Sequence, residues 1–167
     1  LGMLVAFTVV SFSSNRLFAK ELPTKTQLDQ AMDDSISLLM ANLKRSDLGS
    51  GVVIASPSTT APDYFYHWTR DAALTHESLF ELYSKTDDAN LKNQILALAK
   101  EWIAFEAKTQ NNAVGSVAGL GEPRFLVNGQ VNTADWGRPQ SDGPAARAIT
   151  MSLWALTFLD RGEANFV

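Results

Sequence analysis

An all-α fold is predicted by three features of this 167-residue sequence. Apolar residues recur at spacings of three and four in four separate stretches, which is the helix period. Hydrophobic residues make up 46% and charged residues 19%, a globular balance. Short and long connections join the stretches. Helical hairpins whose long loops gather at one end would form one rim of a helical toroid.

The first helix is expected just after Pro23. Thr24 with Gln27 three residues on is a capping-box pattern. Leu28, Met32, Ile36, Leu39, Met40 and Leu43 then mark one face. Asp29, Asp33 and Asp34 lie off that face, mostly near the helix start, where the macrodipole favours them, and read as solvated. The polar, glycine-containing residues 46–51 should end this helix. Residues 51–57 are β-branched and close on Pro57, so a brief strand or extended segment is expected.

A second helix carries Ala72, His76, Leu79, Phe80 and Tyr83 on one face, with His76 read as a hydrogen-bonded structural histidine. Asp87-Asp88 should cap a third, marked by Leu91, Ile95, Leu98, Ala99, Trp102, Ile103 and Glu106. Trp102 and Phe105 are expected in the core. From Asn111 to Asp142 the period is lost, and a stretch this long between well-formed helices usually carries function. Within it, residues 125–132 read as a small hairpin with an Asn128-Gly129 type I′ turn. The fourth helix has Pro144 near its first turn, a face of Ala145, Ala148, Ile149, Ser152, Leu153 and Leu156, and Gly162 as C-cap.

Residues 1–12 are almost wholly apolar, yet shorter than the roughly 20 residues a bilayer span needs. Two readings stand: a truncated export signal ending near Ala19-Lys20, or an ordinary buried segment. On the first reading the protein is secreted or otherwise exported. The net charge of -4, without a basic stripe, argues against a nucleic-acid partner. No cysteine and only two histidines leave no material for a thiolate or histidine-rich metal centre, and no cofactor is expected.

The most unusual composition lies in Pro62-Asp63-Tyr64-Phe65-Tyr66-His67-Trp68-Thr69-Arg70-Asp71. Aromatic faces beside a guanidinium and a carboxylate suit a sugar: the apolar C–H face of a pyranose stacks on the ring, and the charged groups take its hydroxyls. The same residues also suit aromatic packing under a helix start, with Arg70 and Asp71 as a local ion pair. Both readings are open on composition alone.

Four blocks resemble the glucoamylase family in order and spacing. They are Ser50-Gly51-Val52-Val53-Ile54-Ala55-Ser56-Pro57-Ser58, the aromatic stretch above, Gly119-Leu120-Gly121-Glu122-Pro123-Arg124-Phe125, and Trp136-Gly137-Arg138-Pro139-Gln140-Ser141-Asp142-Gly143-Pro144-Ala145-Ala146-Arg147-Ala148. The resemblance runs from about Thr26 to the end of the chain. It implies an inverting, exo-acting glycoside hydrolase that releases glucose from the non-reducing ends of α-1,4-glucans. It also implies the N-terminal part of an (α/α)6 toroid, with residues 21–167 an incomplete piece of the catalytic domain.

By the same resemblance, Tyr64 steadies the developing oxocarbenium ion and Trp68 is a pocket-wall indole. Arg70 and Asp71 hydrogen-bond the 4- and 6-hydroxyls of the terminal glucose. Trp136 packs over the catalytic acid and contacts substrate, while Arg138 and Asp142 help to shape the loop. Glycoside hydrolysis needs an acid and a base, and the resemblance places both glutamates beyond this chain. It implies an α-glucan as partner and a monomer in full-length form; no segment is long enough to span a membrane, no ligand cluster suggests a metal, and the chain alone is expected to be neither well folded nor active. A non-catalytic carbohydrate-binding module and a trehalase-like or oligosaccharide-specific glucosidase on the same fold are the alternatives.

Overall fold

A computed structural model describes residues 22–164. The expected export segment, residues 1–20, lies outside them. Two compact units divide the chain, Leu1–Ile36 and Ser37–Val167. Helix α1 (Lys25–Leu43) starts in the first. Its expected capping box forms: the Thr24 N–H donates to Gln27 Oε1 at 2.9 Å, and the Gln27 N–H donates to Thr24 Oγ1 at 3.3 Å. That satisfies two backbone donors that a helix start leaves orphaned.

The second unit holds β1 (His67–Trp68), α2 (Thr69–Lys85), α3 (Ala89–Ala113), a 3-10 turn at Gly119–Gly121, β2 (Arg124–Phe125) and α4 (Asp142–Asp160). As expected, Asp88 caps α3, its carboxylate accepting from the Asn90 and Leu91 N–H groups at 2.8 and 3.1 Å. Leu79, Ile95, Ala99, Trp102, Trp154 and Phe158 anchor the main core, with Leu39, Met40 and Leu43 of α1 packed against it. Trp102 and Phe105 are both buried, as their positions predicted.

Of the two forms expected for residues 51–57, the strand does not develop; Ile54 makes a single antiparallel bridge to His67. The strand partners are instead β1 and β2, antiparallel, with His67 opposite Phe125 and Trp68 opposite Arg124. The loop after β2 is no type I′ turn, which needs two residues at positive φ. Gly129 has φ +84, whereas the only non-glycine at positive φ among the described residues is Ala61. The Gly129 N–H donates to the Leu126 carbonyl at 2.8 Å, so one left-handed glycine closes the loop.

The face expected on α4 needs correction as well. Its buried residues are Gly143, Arg147, Thr150, Trp154 and Phe158, while Ile149 and Leu156 of the expected face are exposed. The buried face is polar where its partners are polar. Arg147 NH1 donates to Glu106 Oε2 at 3.0 Å, and Thr150 Oγ1 donates to the Ala73 carbonyl at 3.2 Å. A hydropathy pattern cannot register burial that is satisfied by hydrogen bonds. The end of α4 does follow expectation. Gly162 at φ +75 lets its N–H reach the Leu159 carbonyl at 2.9 Å and the Glu163 N–H reach that of Phe158 at 2.8 Å.

His76 is buried and stacks on Trp102 with ring centroids 4.4 Å apart. Its Nδ1 has no hydrogen-bond partner among the described residues, so packing rather than hydrogen bonding holds this ring. Burial depresses its pKa to about 3, against the attraction of Glu106. An imidazole buried neutral stabilises the fold above its unfolded pKa of about 6.5, and that contribution is lost as pH falls toward 3. His76→Phe keeps the stacking and removes this proton linkage. The stability lost between pH 7 and pH 4, read from urea midpoints, should therefore be smaller in the variant; an unchanged loss would overturn the assignment.

Candidate functional site

The starts of α2 and α4 meet at Gly143. A Cβ on this residue would lie 3.2 Å from Thr69 Cβ and 3.4 Å from the Arg70 nitrogen. Close backbone approach of this kind is what glycine permits. Thr69 is further fixed through its Oγ1, which donates to the Glu122 carbonyl at 3.0 Å. The result sets Arg70 and Asp71, in the first turn of α2, beside Asp142 at the start of α4.

Arg70 NH1 donates to Asp142 Oδ2 at 2.8 Å, and Arg70 NH2 lies 3.5 Å from Asp71 Oδ2. The local Arg70–Asp71 pair is therefore the weaker of the two contacts. The hydrogen bond from Arg70 holds the Asp142 carboxyl below the usual carboxylate range. With side chains 45% and 52% exposed, the Arg70–Asp142 bridge contributes about 0–1 kcal/mol to stability. Its main effect is geometric: it fixes the direction of the guanidinium.

Immediately before Thr69 in the chain, Trp68 joins two other aromatic rings. Tyr64 and Trp68 have ring centroids 5.9 Å apart, and Trp68 meets Trp136 edge-on at 5.1 Å. Trp68 is 5% exposed, whereas Tyr64 and Trp136 are 38% and 42% exposed. A buried indole thus carries two open rings. An Asx-type turn sets Tyr64: Asp63 accepts from the Phe65 N–H at 3.0 Å and from the Tyr66 hydroxyl at 2.9 Å.

Trp136 sits on an irregular segment braced by Arg138. Arg138 NH2 donates to the Asn132 and Ala134 carbonyls at 2.9 and 2.8 Å, and NH1 lies 3.5 Å from Oε2 of the buried Glu122. The segment then passes over Gly121, whose missing Cβ would lie 2.7 Å from Pro139 Cβ. The Gln140 N–H donates to the Gly121 carbonyl at 2.9 Å, holding the crossing in place.

Arg124, to which the sequence reading gave no role, sits behind this wall. It is 5% exposed, and its guanidinium lies 4.6 Å from the Tyr66 ring, 5.4 Å from Trp68 and 4.6 Å from Trp136. Cation–π attraction operates at this range. Arg124 Nε and Trp68 Nε1 are both buried without a hydrogen-bond partner among the described residues. The available signal was a basic residue inside a glycine- and proline-punctuated block, but only the Trp68–Arg124 register reveals what it touches.

All seven residues singled out from the sequence are placed. Tyr64, Trp68 and Trp136 form the linked aromatic group, Arg70, Asp71 and Asp142 the charged group, and Arg138 braces the loop. Hollows along α3, one lined by Ser50, Lys100, Glu101, Ala104, Phe105 and Lys108 and another running from Leu43 to Glu101, include none of these residues. Among the described residues there is no group of three or more His, Cys, Asp or Glu side chains placed to hold a metal. No helix there is long and apolar enough to cross a membrane.

Residues 34–164 match the model of the family described as glycosyl hydrolases family 15. A glucoamylase of Neurospora crassa is 43% identical over 127 residues, covering 73% of this chain and 20% of that protein. A glucoamylase of Saccharomycopsis fibuligera is 38% identical over 165 residues, covering 85% of this chain and 31% of that protein. A solved glucoamylase structure from Saccharomycopsis fibuligera superposes with a TM-score of 0.73 at 32% identity, covering 85% of this chain and 31% of the other. The chain thus spans between a fifth and a third of the length of these relatives. Its helices and two-stranded sheet match part of the (α/α)6 toroid of such structures. On sequence and fold alike, the chain belongs to the glycosyl hydrolases of family 15.

Proposed function

We propose that the full-length protein releases glucose from the non-reducing ends of α-1,4-glucans by inversion, and that this chain supplies part of its glucose-binding site. The observation that carries the reading is the open aromatic group of Tyr64, Trp68 and Trp136, two residues along the chain from the Arg70 guanidinium that binds Asp142, in a chain of this family. Rings open to solvent on a buried indole offer a stacking surface for a pyranose. Arg70 offers fixed donors and Asp71 an acceptor for hydroxyls at the far side of that ring.

In this reading Tyr64 steadies the oxocarbenium ion, Trp68 forms the pocket wall, and Arg70 with Asp71 holds the 4- and 6-hydroxyls. Trp136 covers the catalytic acid, while Arg138 and Asp142 keep the loop in shape. The acid and the base are expected on glutamates outside this chain. Two facts support leaving the local carboxylates out of that role. Asp142 is kept ionised by Arg70, which is wrong for a proton donor. Glu106 is wholly buried with its oxygens engaged.

Product analysis of the full-length enzyme on maltotetraose tests this. The expected first product is β-glucose, seen by NMR before mutarotation, with no release from the isolated chain. Maltose or α-glucose as first product, or glucose release by the isolated chain, would sink the corresponding part of the reading. Binding without any hydrolysis by the full-length protein would favour a carbohydrate-binding module instead.

A further inference from the structure

Glu106 is wholly buried, and four donors meet its two carboxylate oxygens. Oε1 accepts from His67 Nε2 at 2.8 Å and Trp102 Nε1 at 3.0 Å; Oε2 accepts from Thr109 Oγ1 and Arg147 NH1, both at 3.0 Å. Those bonds fill the acceptor positions a carboxylate has. The His67 tautomer is fixed from its other side. The Val53 N–H donates to Nδ1 at 3.1 Å, so the ring proton sits on Nε2 and points at Glu106.

The elements tied together here are those that carry the proposed sugar contacts. His67 directly precedes Trp68 in β1, and the chain continues through Thr69 into Arg70 and Asp71. Arg147 lies on α4, little more than one helical turn after Asp142, the partner of Arg70. The exposed Arg70–Asp142 bridge is too weak to define the spacing of α2 and α4 on its own. The buried carboxylate binds both elements from beneath.

We infer that Glu106 is a positioning residue for the saccharide site, setting β1 and the start of α2 against α4 so that Trp68, Arg70 and Asp71 meet the sugar in register. This rests on the functional reading above. Glutamine at this position keeps the shape but turns an amide NH2 toward groups that donate. Thr109 can rotate its hydroxyl to accept, and His67 could accept only by changing tautomer and giving up its Val53 bond; Arg147 and Trp102 have no acceptor to offer. The elements must then shift.

The experiment compares variants of the full-length enzyme by maltose kinetics, at temperatures where circular dichroism shows each variant folded. Glu106→Gln is expected to raise KM about tenfold with kcat within about twofold, the pattern of lost binding common to ground and transition states. A folded Glu106→Gln enzyme with a wild-type KM and only a lower Tm overturns the proposal, since a purely structural residue behaves that way. If this variant does not fold, Arg147→Lys decides. It keeps the charge but shortens the reach, and a KM raised about threefold supports the inference while an unchanged KM overturns it. Asp71→Asn separates the two levels. If Asp71→Asn alone weakens maltose binding, the positioning role fails and the saccharide reading stands; if Asp71→Asn has no effect, the saccharide reading fails and takes the inference with it.

Discussion

Asp71→Asn in the full-length enzyme is expected to lower kcat/KM for maltose by about 10- to 100-fold. A hydrogen bond to a charged group contributes about 1.5–3 kcal/mol, and each 1.36 kcal/mol is tenfold in rate. Asp71 stands in the first turn of α2, its carboxylate only loosely engaged by Arg70 at 3.5 Å. The acceptor is therefore available to a ligand. The amide keeps one acceptor oxygen but loses the charge, so the change tests the charged hydrogen bond and little else. Stability should move by less than about 1 kcal/mol, because Arg70 keeps its 2.8 Å bond to Asp142. Steady-state kinetics with maltose and a thermal melt settle the matter together. Wild-type turnover and affinity would remove Asp71 from the sugar contacts.

The second large effect is on stability. Arg147→Met should destabilise the protein by about 3–5 kcal/mol, the usual consequence of removing one partner of a buried ion pair. Methionine replaces the arginine stem but leaves the space of the guanidinium unfilled, so cavity formation adds to the loss. What remains is a carboxylate at Glu106, wholly buried and short of its only cationic hydrogen-bond partner among the described residues. In the native protein burial pushes the Glu106 carboxyl up, but the hydrogen bonds from His67 and Arg147, with the charge of the Arg147 guanidinium, outweigh it and hold it below the usual carboxylate range.

The sign of the resulting pH dependence follows. A carboxyl depressed on folding stabilises above its unfolded pKa of about 4.5, and the benefit is lost as pH falls toward 2. In Arg147→Met that acid-labile contribution should shrink, so the variant is already weak at pH 7 and loses less on acidification. Urea midpoints at pH 7 and pH 3 measure both parts. A variant as stable as wild type at pH 7 would mean that the pair is not an energetic keystone of the α3–α4 contact.

Much of this architecture was readable in the sequence because it is local. The Thr24–Gln27 box, the Asp88 cap and the Gly162 terminus each depend on residues within one or two turns. The aromatic and Arg-Asp stretch announced itself by composition. The hidden parts are non-local or polar. β1 and β2 are two-residue strands far apart in sequence, too short to leave an alternating pattern. Hydropathy spacing points to the wrong face of α4 because Arg147 and Thr150 are buried while Ile149 and Leu156 are exposed. Glu106 was even placed on the apolar face of α3 by its spacing. Nothing local could say that His67 and Arg147 would meet it there.

The Val53 amide bonds to an imidazole nitrogen rather than to a backbone carbonyl. Its proton therefore spectates on a side chain: the bond exists only while Nδ1 of His67 keeps its lone pair. Every rearrangement at Glu106 that flips or tilts that ring is written into the chemical shift and exchange rate of one backbone resonance. A single amide, far along the chain from α4, thus reads out the state of the buried carboxylate without any substitution or probe.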